Sequence, residues 1–366
     1  MVYAALTFFS LINYRLFPGK KMYFFITYSM IALVAGLRDA SVGTDTFSYY
    51  RDFYRLQNLD FTQIDSGFKL VEPGYLMIIK LSSIFPDGAP VHIFLYSVLT
   101  FLALGIFIYH NTNNKNYWLA TFLVLAFGFM FYSMNAMRQS LAIAIACNSL
   151  TYLMKREYLK AGFIILISMC FHLSLVVMAP VILLAMFYLS FLRKFPSFNN
   201  FLGYLVFMMA VSVVIASLGW YVLNNIDLLN NLFLKYYLSS KYGLEAQTGL
   251  YMITTVSIYS LFLVLSFVYT RYKEESVIVQ TACLRVYLSL AIAATLCSAY
   301  FMIIFYRVVD TFSIYLVILA PLVMWSVRNK YVRIIGLVGI VLFGCCYEAQ
   351  FLWSGFNEVT NYRTLF

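Results

Sequence analysis

The chain has 366 residues, of which 63% are hydrophobic and only 11% are charged. Soluble domains carry charge on about a quarter of their residues, so this composition excludes a soluble enzyme or a nucleic-acid-binding domain. The net charge of +10 is what basic cytoplasmic loops give a membrane protein. The six cysteines lie in apolar segments without metal-ligand spacing, and we expect them to be packing residues.

Apolar runs of about 17 to 25 residues recur along the chain, the length that crosses a hydrocarbon core of roughly 30 Å. They predict an all-α, polytopic integral membrane protein, a single multi-pass domain over 1–366 with about twelve transmembrane helices (roughly 11–14). The run 1–17 lacks the features of a signal peptide and is interpreted as a span. The predicted spans are 1–17, 21–37, 91–109, 117–133, 138–154, 159–171, 174–192, 200–222, 250–270, 280–302, 309–327 and 331–347.

Short basic clusters separate many of these runs, and the positive-inside rule places them in the cytoplasm. They are residues 18–21, Lys115, 155–160, 193–194, 271–275 and 327–333. Both termini and two longer loops, 38–90 and 224–249, are then expected outside. The segment 72–85, "EPGYLMIIKLSSIF", is apolar but short and carries Lys80. We interpret it as an interfacial or re-entrant helix of the outer face, begun by Pro73.

Ionisable side chains gather at this predicted outer face. An ionisable group at membrane depth is costly unless it is paired or hydrated, which makes such groups functional candidates. The acidic ones are Asp39, Asp45, Asp52, Asp60, Asp65, Glu72 and Asp87. With them lie Arg38, Arg51, Arg55, Arg138, His172, Arg307, Asp310 and Glu348.

Several of these residues also have a purely structural interpretation. Arg38 ends an apolar run, as an interface anchor does. Arg307 precedes Asp310 by three residues, the spacing of a helical ion pair. His172, in "SMCFHLSLVVMAP", is also consistent with a hydrogen-bonded core histidine. Arg138 begins a helix, where a cation opposes the macrodipole, and this favours anion binding.

The residue types of the outer face suit glycosyl transfer from a lipid diphosphate. Guanidinium groups bind diphosphate in a forked geometry, and they stabilise the charge on a departing diphosphate without a metal. A carboxylate or a histidine can take the proton of an attacking hydroxyl. Tyr49, Tyr50 and Tyr54 suit sugar rings, although an interfacial aromatic belt is the simpler interpretation. Because the sequence has no histidine or acidic pair at metal-ligand spacing, we expect no metal and no cofactor.

Five segments resemble a known family in their order along the chain. They are "GLRDASVGTDTFSYYRDF" (36–53), "EPGY" (72–75), "MRQSLAIAI" (137–145), "FHLSLVVMAP" (171–180) and "YRVVDTFSIYLVILAP" (306–321). Together they resemble the EpsG family of Wzy-type O-antigen and capsule repeat-unit polymerases. The resemblance implies a GT-C-like polymerase/ligase architecture with an outer-face active site, in the bacterial cytoplasmic (inner) membrane.

The resemblance also implies an activity. Such an enzyme transfers a growing glycan from undecaprenyl diphosphate to the next lipid-linked repeat unit, facing the periplasm or cell exterior. It serves synthesis of lipopolysaccharide, capsule or exopolysaccharide, alongside a chain-length regulator and a flippase. By motif, the catalytic candidates are Asp45, Glu72, His172 and Arg138, where His172 either competes with the carboxylates as base or donates a hydrogen bond to the diphosphate. The substrate-binding candidates are Arg38, Arg307, Tyr49 and Arg51, and Gly43 is expected to turn Asp45 inward.

Three other functions compete with polymerisation. A transporter or flippase of the same lipids would have polar or broken helices near mid-membrane and a repeat between halves, neither of which the sequence indicates. A membrane O-acyltransferase would need a basic cytoplasmic entrance for its donor. An O-antigen-ligase-like transferase would use nearly the same residues, so the sequence leaves it open.

Overall fold

The computed structural model describes residues 2–17, 19–59, 71–196, 199–211, 250–271, 273–301, 303–355, 359 and 361–365. In these ranges every regular element is a helix, apart from an antiparallel bridge between Arg38 and Thr364. The all-α prediction is therefore confirmed for the described chain. Asp60, Asp65 and the predicted outer loop 224–249 lie outside the described residues.

The structure has seventeen α-helices in its described residues, and most of them overlap the predicted spans. They are α1 (Val2–Leu16), α2 (Lys20–Gly36), α3 (Thr46–Leu56), α4 (Pro73–Ser82), α5 (Gly88–Asn111), α6 (Tyr117–Ala126), α7 (Phe129–Asn135), α8 (Met137–Cys147), α9 (Ser149–Met154), α10 (Tyr158–Met169), α11 (Met178–Lys194), α12 (Phe201–Val211), α13 (Leu250–Thr270), α14 (Glu275–Phe301), α15 (Ile303–Ser313), α16 (Leu316–Ser326) and α17 (Lys330–Trp353). A short 3-10 helix, Leu173–Val177, precedes α11.

Six described helical segments are long and apolar enough to cross a membrane, and the bent pair α6–α7 is a seventh if it counts as one span. They are Gly88–Asn111, Leu173–Lys194, Met252–Thr270, Glu275–Ser298, Arg307–Ser326 and Lys330–Trp353. Other predicted spans are shorter helices: α10 has 12 residues, about 18 Å at 1.5 Å per residue. The total of about twelve spans therefore stays a prediction.

A glycine separates α6 from α7. Gly128 has a φ of 78°, in the left-handed region, and the two helices meet at 51°. A Cβ there would lie 2.9 Å from the ring of Phe351 on α17. Glycine is thus needed both for the backbone conformation and for the close approach of α17. The predicted span 117–133 is consequently a bent pair, followed by a second break between Asn135 and Met137.

Two stretches expected to be irregular are helical. The predicted loop 38–90 contains α3, an amphipathic helix that the sequence analysis did not predict, as well as α4, which lies in 72–85 and begins with Pro73. The predicted span 331–347 continues as α17 to Trp353. Glu348, expected beyond this span, is therefore inside the helix, where it is buried and accepts a hydrogen bond of 2.8 Å from the Thr7 hydroxyl.

The chain forms two compact units, residues 1–180 with 320–366 and residues 181–319. In the first unit α2 packs closely on α5, where Gly36 lies against Phe94 and Gly105 against Tyr28. Small residues allow such approach of two helices in an apolar environment. In the second unit the rings of Tyr287 and Tyr315 stack with centroids 4.1 Å apart. The single multi-pass domain expected from the sequence stays a prediction.

Candidate active site

Two of the motif segments dock on each other at the start of α4. The backbone N–H of Gly74 donates a hydrogen bond of 2.8 Å to the carbonyl oxygen of Cys170. A Cβ on Gly74 would lie 2.8 Å from that oxygen and 2.9 Å from the Phe171 ring. Because only glycine leaves room for this approach, segments 72–75 and 170–172 lie side by side.

This docking brings together three of the four predicted catalytic residues. One carboxylate oxygen of Glu72, Oε1, lies 3.1 Å from Nδ1 of His172. The other, Oε2, forms an ion pair with Nη2 of Arg138. The side chains of Glu72, His172 and Arg138 are 11%, 14% and 26% exposed, so each is largely buried. We call this group the Glu72 cluster.

The environment of Glu72 keeps it ionised. Burial raises its pKa, but the hydrogen bond from His172 and the charge of Arg138 outweigh burial and lower the pKa from 4.5 to about 2. A carboxylate this acidic is a poor general base near neutral pH. The lowered pKa of Glu72 therefore favours His172 over Glu72 as the group that takes a proton.

The second ring nitrogen of His172, Nε2, is not used in the contacts of the Glu72 cluster. Nε2 is buried and has no hydrogen-bond partner among the described residues. When Nδ1–H donates to the Glu72 carboxylate, Nε2 carries the lone pair, which is the tautomer that a general base needs. The cluster thus presents a proton acceptor oriented by a carboxylate.

Arg138 is held at the start of α8 by two neighbours. Its guanidinium carbon Cζ lies 4.6 Å from the centroid of the Tyr75 ring, a cation–π contact. The Glu72 carboxylate compensates the unfavourable position of a cation at a helix N-terminus. Nε of Arg138 is buried without a hydrogen-bond partner among the described residues, so this donor is not used within the described part of the chain.

Tyr49 binds the backbone at the break between α7 and α8, directly before Arg138. Its hydroxyl donates to the carbonyl oxygen of Asn135 at 2.8 Å and accepts from the backbone N–H of Met137 at 3.1 Å. Burial raises the pKa of Tyr49 to about 12, so the hydroxyl stays protonated. Because both bonds are made to backbone, they favour a structural role, and the predicted contact with substrate stays a prediction.

Arg38 also binds this break, and it is only 1% exposed. It donates to the carbonyl oxygens of Ala35 and of Met134, the latter at 2.9 Å, and to the Thr46 hydroxyl at 3.2 Å. Burial lowers the pKa of Arg38 to about 10, which leaves it charged at neutral pH. An interface anchor keeps its charged head in water, so burial contradicts that interpretation. Its predicted binding of substrate stays a prediction.

The predicted turn at Gly43 is present, with a φ of +90°. A Cβ there would lie 3.0 Å from Oδ1 of Asn135, which also accepts a 2.9 Å hydrogen bond from the Thr44 hydroxyl. The turn therefore packs on the end of α7. Asp45 is exposed directly before α3, so the turn does not bury it as expected, and its catalytic role stays a prediction.

The two remaining substrate-binding candidates are exposed. Arg51 is exposed on α3, and Arg307 is exposed on α15 in the unit 181–319. Their roles stay predictions. Over the described ranges, no group of three or more His, Cys, Asp or Glu side chains is arranged to hold a metal ion.

The sequence was compared with protein families, curated proteins and solved structures. The model of the EpsG family matches residues 21–364. The chain belongs to the EpsG family. None of the curated proteins and none of the solved structures matches it. Membership in the EpsG family and the apolar helices fit a membrane protein of polysaccharide biosynthesis.

The stretch matched by the EpsG family includes the Glu72 cluster and several residues that the sequence analysis did not single out. Tyr75 lies under the Arg138 guanidinium, and Gly74 makes the docking contact. Both stand in "EPGY", where a glycine beside an aromatic residue at a helix start was an available signal. The carbonyl oxygen of Met134, which binds Arg38, left no signal because any residue type supplies a carbonyl.

Proposed function

We propose that this protein is a glycosyltransferase that polymerises undecaprenyl-diphosphate-linked oligosaccharide repeat units at the outer face of the bacterial cytoplasmic membrane. The observation that carries the proposal is the Glu72 cluster, in which a carboxylate orients a histidine beside an arginine. The proposal includes about twelve spans in a GT-C-like arrangement, with the basic loops in the cytoplasm.

In the proposed step, the acceptor hydroxyl gives its proton to Nε2 of His172 while its oxygen bonds to the anomeric carbon of the donor glycan. The bond between that carbon and the diphosphate oxygen breaks, and its electron pair leaves on the lipid diphosphate. Arg138 stabilises the charge that develops there. Glu72 holds the imidazole in orientation and stabilises its protonated form, as the acid of a catalytic triad does.

The experiment uses lipid-linked repeat units extracted from a strain of the source cell that lacks this protein. The purified protein is mixed with them in detergent with EDTA, and the products are separated on a gel. We expect a ladder of polymer. We expect His172→Ala to lower its rate about 10²–10⁴-fold and Arg138→Ala about 10²–10³-fold. The matched control is His110→Ala, because His110 is an exposed histidine.

Other outcomes would contradict the proposal. A normal ladder from His172→Ala would remove His172 as the base. No ladder, but movement of the same lipid across proteoliposomes, would indicate a flippase. Transfer of preformed polymer to a different acceptor, without repeat addition, would indicate a ligase.

A further inference from the structure

Residues 359 and 361–365, which we call the 359–365 strap, lie beside the end of α2. The backbone N–H of Asp39 donates to the carbonyl oxygen of Arg363 at 2.9 Å. The backbone N–H of Leu365 donates to the carbonyl oxygen of Leu37 at 3.1 Å. These two bonds flank the antiparallel bridge between Arg38 and Thr364. The strap thus pairs with the backbone on both sides of Arg38.

Two tyrosines tie the strap to neighbouring helices. The Tyr362 hydroxyl donates to the carbonyl oxygen of Val34 at 2.8 Å. The Tyr3 hydroxyl donates to the carbonyl oxygen of Val359, also at 2.8 Å. The two rings meet edge to face with centroids 5.7 Å apart. These contacts lie within one compact unit and include the main chain of α2 just before Arg38.

A continuous path of contacts leads from the strap to the Glu72 cluster. Arg38, whose backbone the strap pairs with, donates to the carbonyl oxygen of Met134 at 2.9 Å. Met134 lies at the end of α7, and Arg138 follows four residues later at the start of α8. Arg138 in turn forms the ion pair with Glu72.

We propose that the 359–365 strap is a positioning element of the active site. By fixing residues 37–39 it keeps the Arg38 guanidinium on Met134, and this holds the α7–α8 break in the position from which Arg138 reaches Glu72. Arg38 then acts through Arg138 as a positioning residue. The catalytic consequence rests on the proposed function, whereas the coupling between the strap and the break does not.

The test compares the full chain with a chain that ends at Gly355 and with Tyr362→Phe. Tyr331→Phe is the matched control, because Tyr331 is 77% exposed at the start of α17. Polymerisation kinetics and amide hydrogen exchange of segments 37–46 and 134–140 are measured on each protein. We expect the shortened chain to lose about tenfold or more in kcat with little change in KM, because Arg138 acts on the transition state.

Tyr362→Phe removes one hydrogen bond and is expected to lower kcat about two- to tenfold. The control Tyr331→Phe should have the kcat of the wild type. In the shortened chain, exchange should become faster in 37–46 and 134–140 and stay unchanged in α5. Faster exchange throughout the protein would overturn the proposal, since it would mean that the strap only stabilises the fold. So would unchanged exchange at 134–140. If the full chain makes no polymer, the proposed function fails, but the exchange measurement still decides the coupling.

Discussion

At the scale of single residues, the buried charges of this apolar chain follow two patterns. Glu72 and Arg138 form an ion pair, so each largely buried charge has an opposite charge beside it. Arg38 has a different solution, because its donors reach carbonyl oxygens and a hydroxyl. Neutral acceptors fix a guanidinium in place without neutralising it.

Arg285 in α14 repeats the second pattern in the other compact unit. It is 1% exposed and donates to the Ser266 carbonyl and hydroxyl oxygens at 2.9 Å, to the Thr270 hydroxyl at 3.0 Å and to the Asn199 side chain at 2.8 Å. Its guanidinium also lies 3.7 Å from the centroid of the Phe267 ring. A buried arginine surrounded in this way joins three parts of the chain through hydrogen bonds.

The lowered pKa of Glu72 predicts a specific dependence of stability on pH. The carboxylate has a pKa of about 2 in the folded protein against an ordinary value of 4.5. Its contribution to the free energy of unfolding is therefore complete above the ordinary pKa and is lost as the pH falls toward the folded one. We expect the Tm of the detergent-solubilised protein to fall by several degrees from pH ~5 to ~3, and Glu72→Gln to flatten this decrease.

The control for this measurement is Glu157→Gln. Glu157 pairs with Lys160 at 2.7 Å on the surface, where the two side chains are 37% and 65% exposed, and ion pairs at the surface contribute little to stability. The control should follow the wild-type profile. Equal slopes for wild type and Glu72→Gln would show that the Glu72 cluster does not stabilise the fold through its charge.

At the scale of elements, the short helix α4 matters because of how it begins. Pro73 occupies its first turn, and Gly74 follows with its N–H on the Cys170 carbonyl. The helix start thereby places Glu72, the residue before Pro73, beside His172. An apolar segment of ten residues, too short to cross the membrane, thus positions a carboxylate.

Replacing Gly74 tests this placement. In Gly74→Ala the Cβ would meet the Cys170 carbonyl oxygen and the Phe171 ring below 3.0 Å, so α4 must move away from segment 170–172. We expect a loss of about 1–3 kcal/mol in stability and a larger loss of activity, because Glu72 and His172 separate. The measurements are Tm and polymerisation rate.

Gly162→Ala is the matched control, since a Cβ at Gly162 in α10 would meet nothing within 4 Å. Alanine is favoured over glycine inside a helix, so this variant should be as stable as wild type or slightly more so. If Gly74→Ala behaves like Gly162→Ala, the close approach at α4 is not needed for the site.

At the scale of the whole molecule, the proposed orientation places the two ends of α17 on opposite sides of the membrane. This helix has 24 residues, about 36 Å at 1.5 Å per residue, which exceeds a core of roughly 30 Å. The basic segment 327–333 lies at its start, and the 359–365 strap, paired beside Arg38, follows its end.

Cysteine labelling tests this orientation. Arg363→Cys and Arg328→Cys are each introduced into a variant that lacks the six native cysteines. Intact spheroplasts that contain each variant are treated with a membrane-impermeant maleimide. Both native side chains are exposed. We expect Arg363→Cys to react at once and Arg328→Cys only after permeabilisation, because of the positive-inside rule. The reverse pattern would place the Glu72 cluster in the cytoplasm.

Hydropathy and motif order were enough to predict the class of the protein, the positions of most helices and the segments that carry the Glu72 cluster. Hydrophobicity and helix length are properties of neighbouring residues, so a run such as 250–270 could be placed from its composition and matches α13. The same reasoning missed α3, because its polar, amphipathic sequence resembles a loop when only hydropathy is considered.

Which of the polar residues contact one another depends on the tertiary structure. Glu72 contacts residues that are 66 and 100 positions away in sequence, and these contacts depend on how helices pack and where glycine permits close approach. The same packing directs Arg38 and Tyr49 to backbone atoms and leaves Asp45 exposed. A residue type shows that a charge is present, but its partner and its role are set by segments distant in the chain, which composition and spacing do not encode.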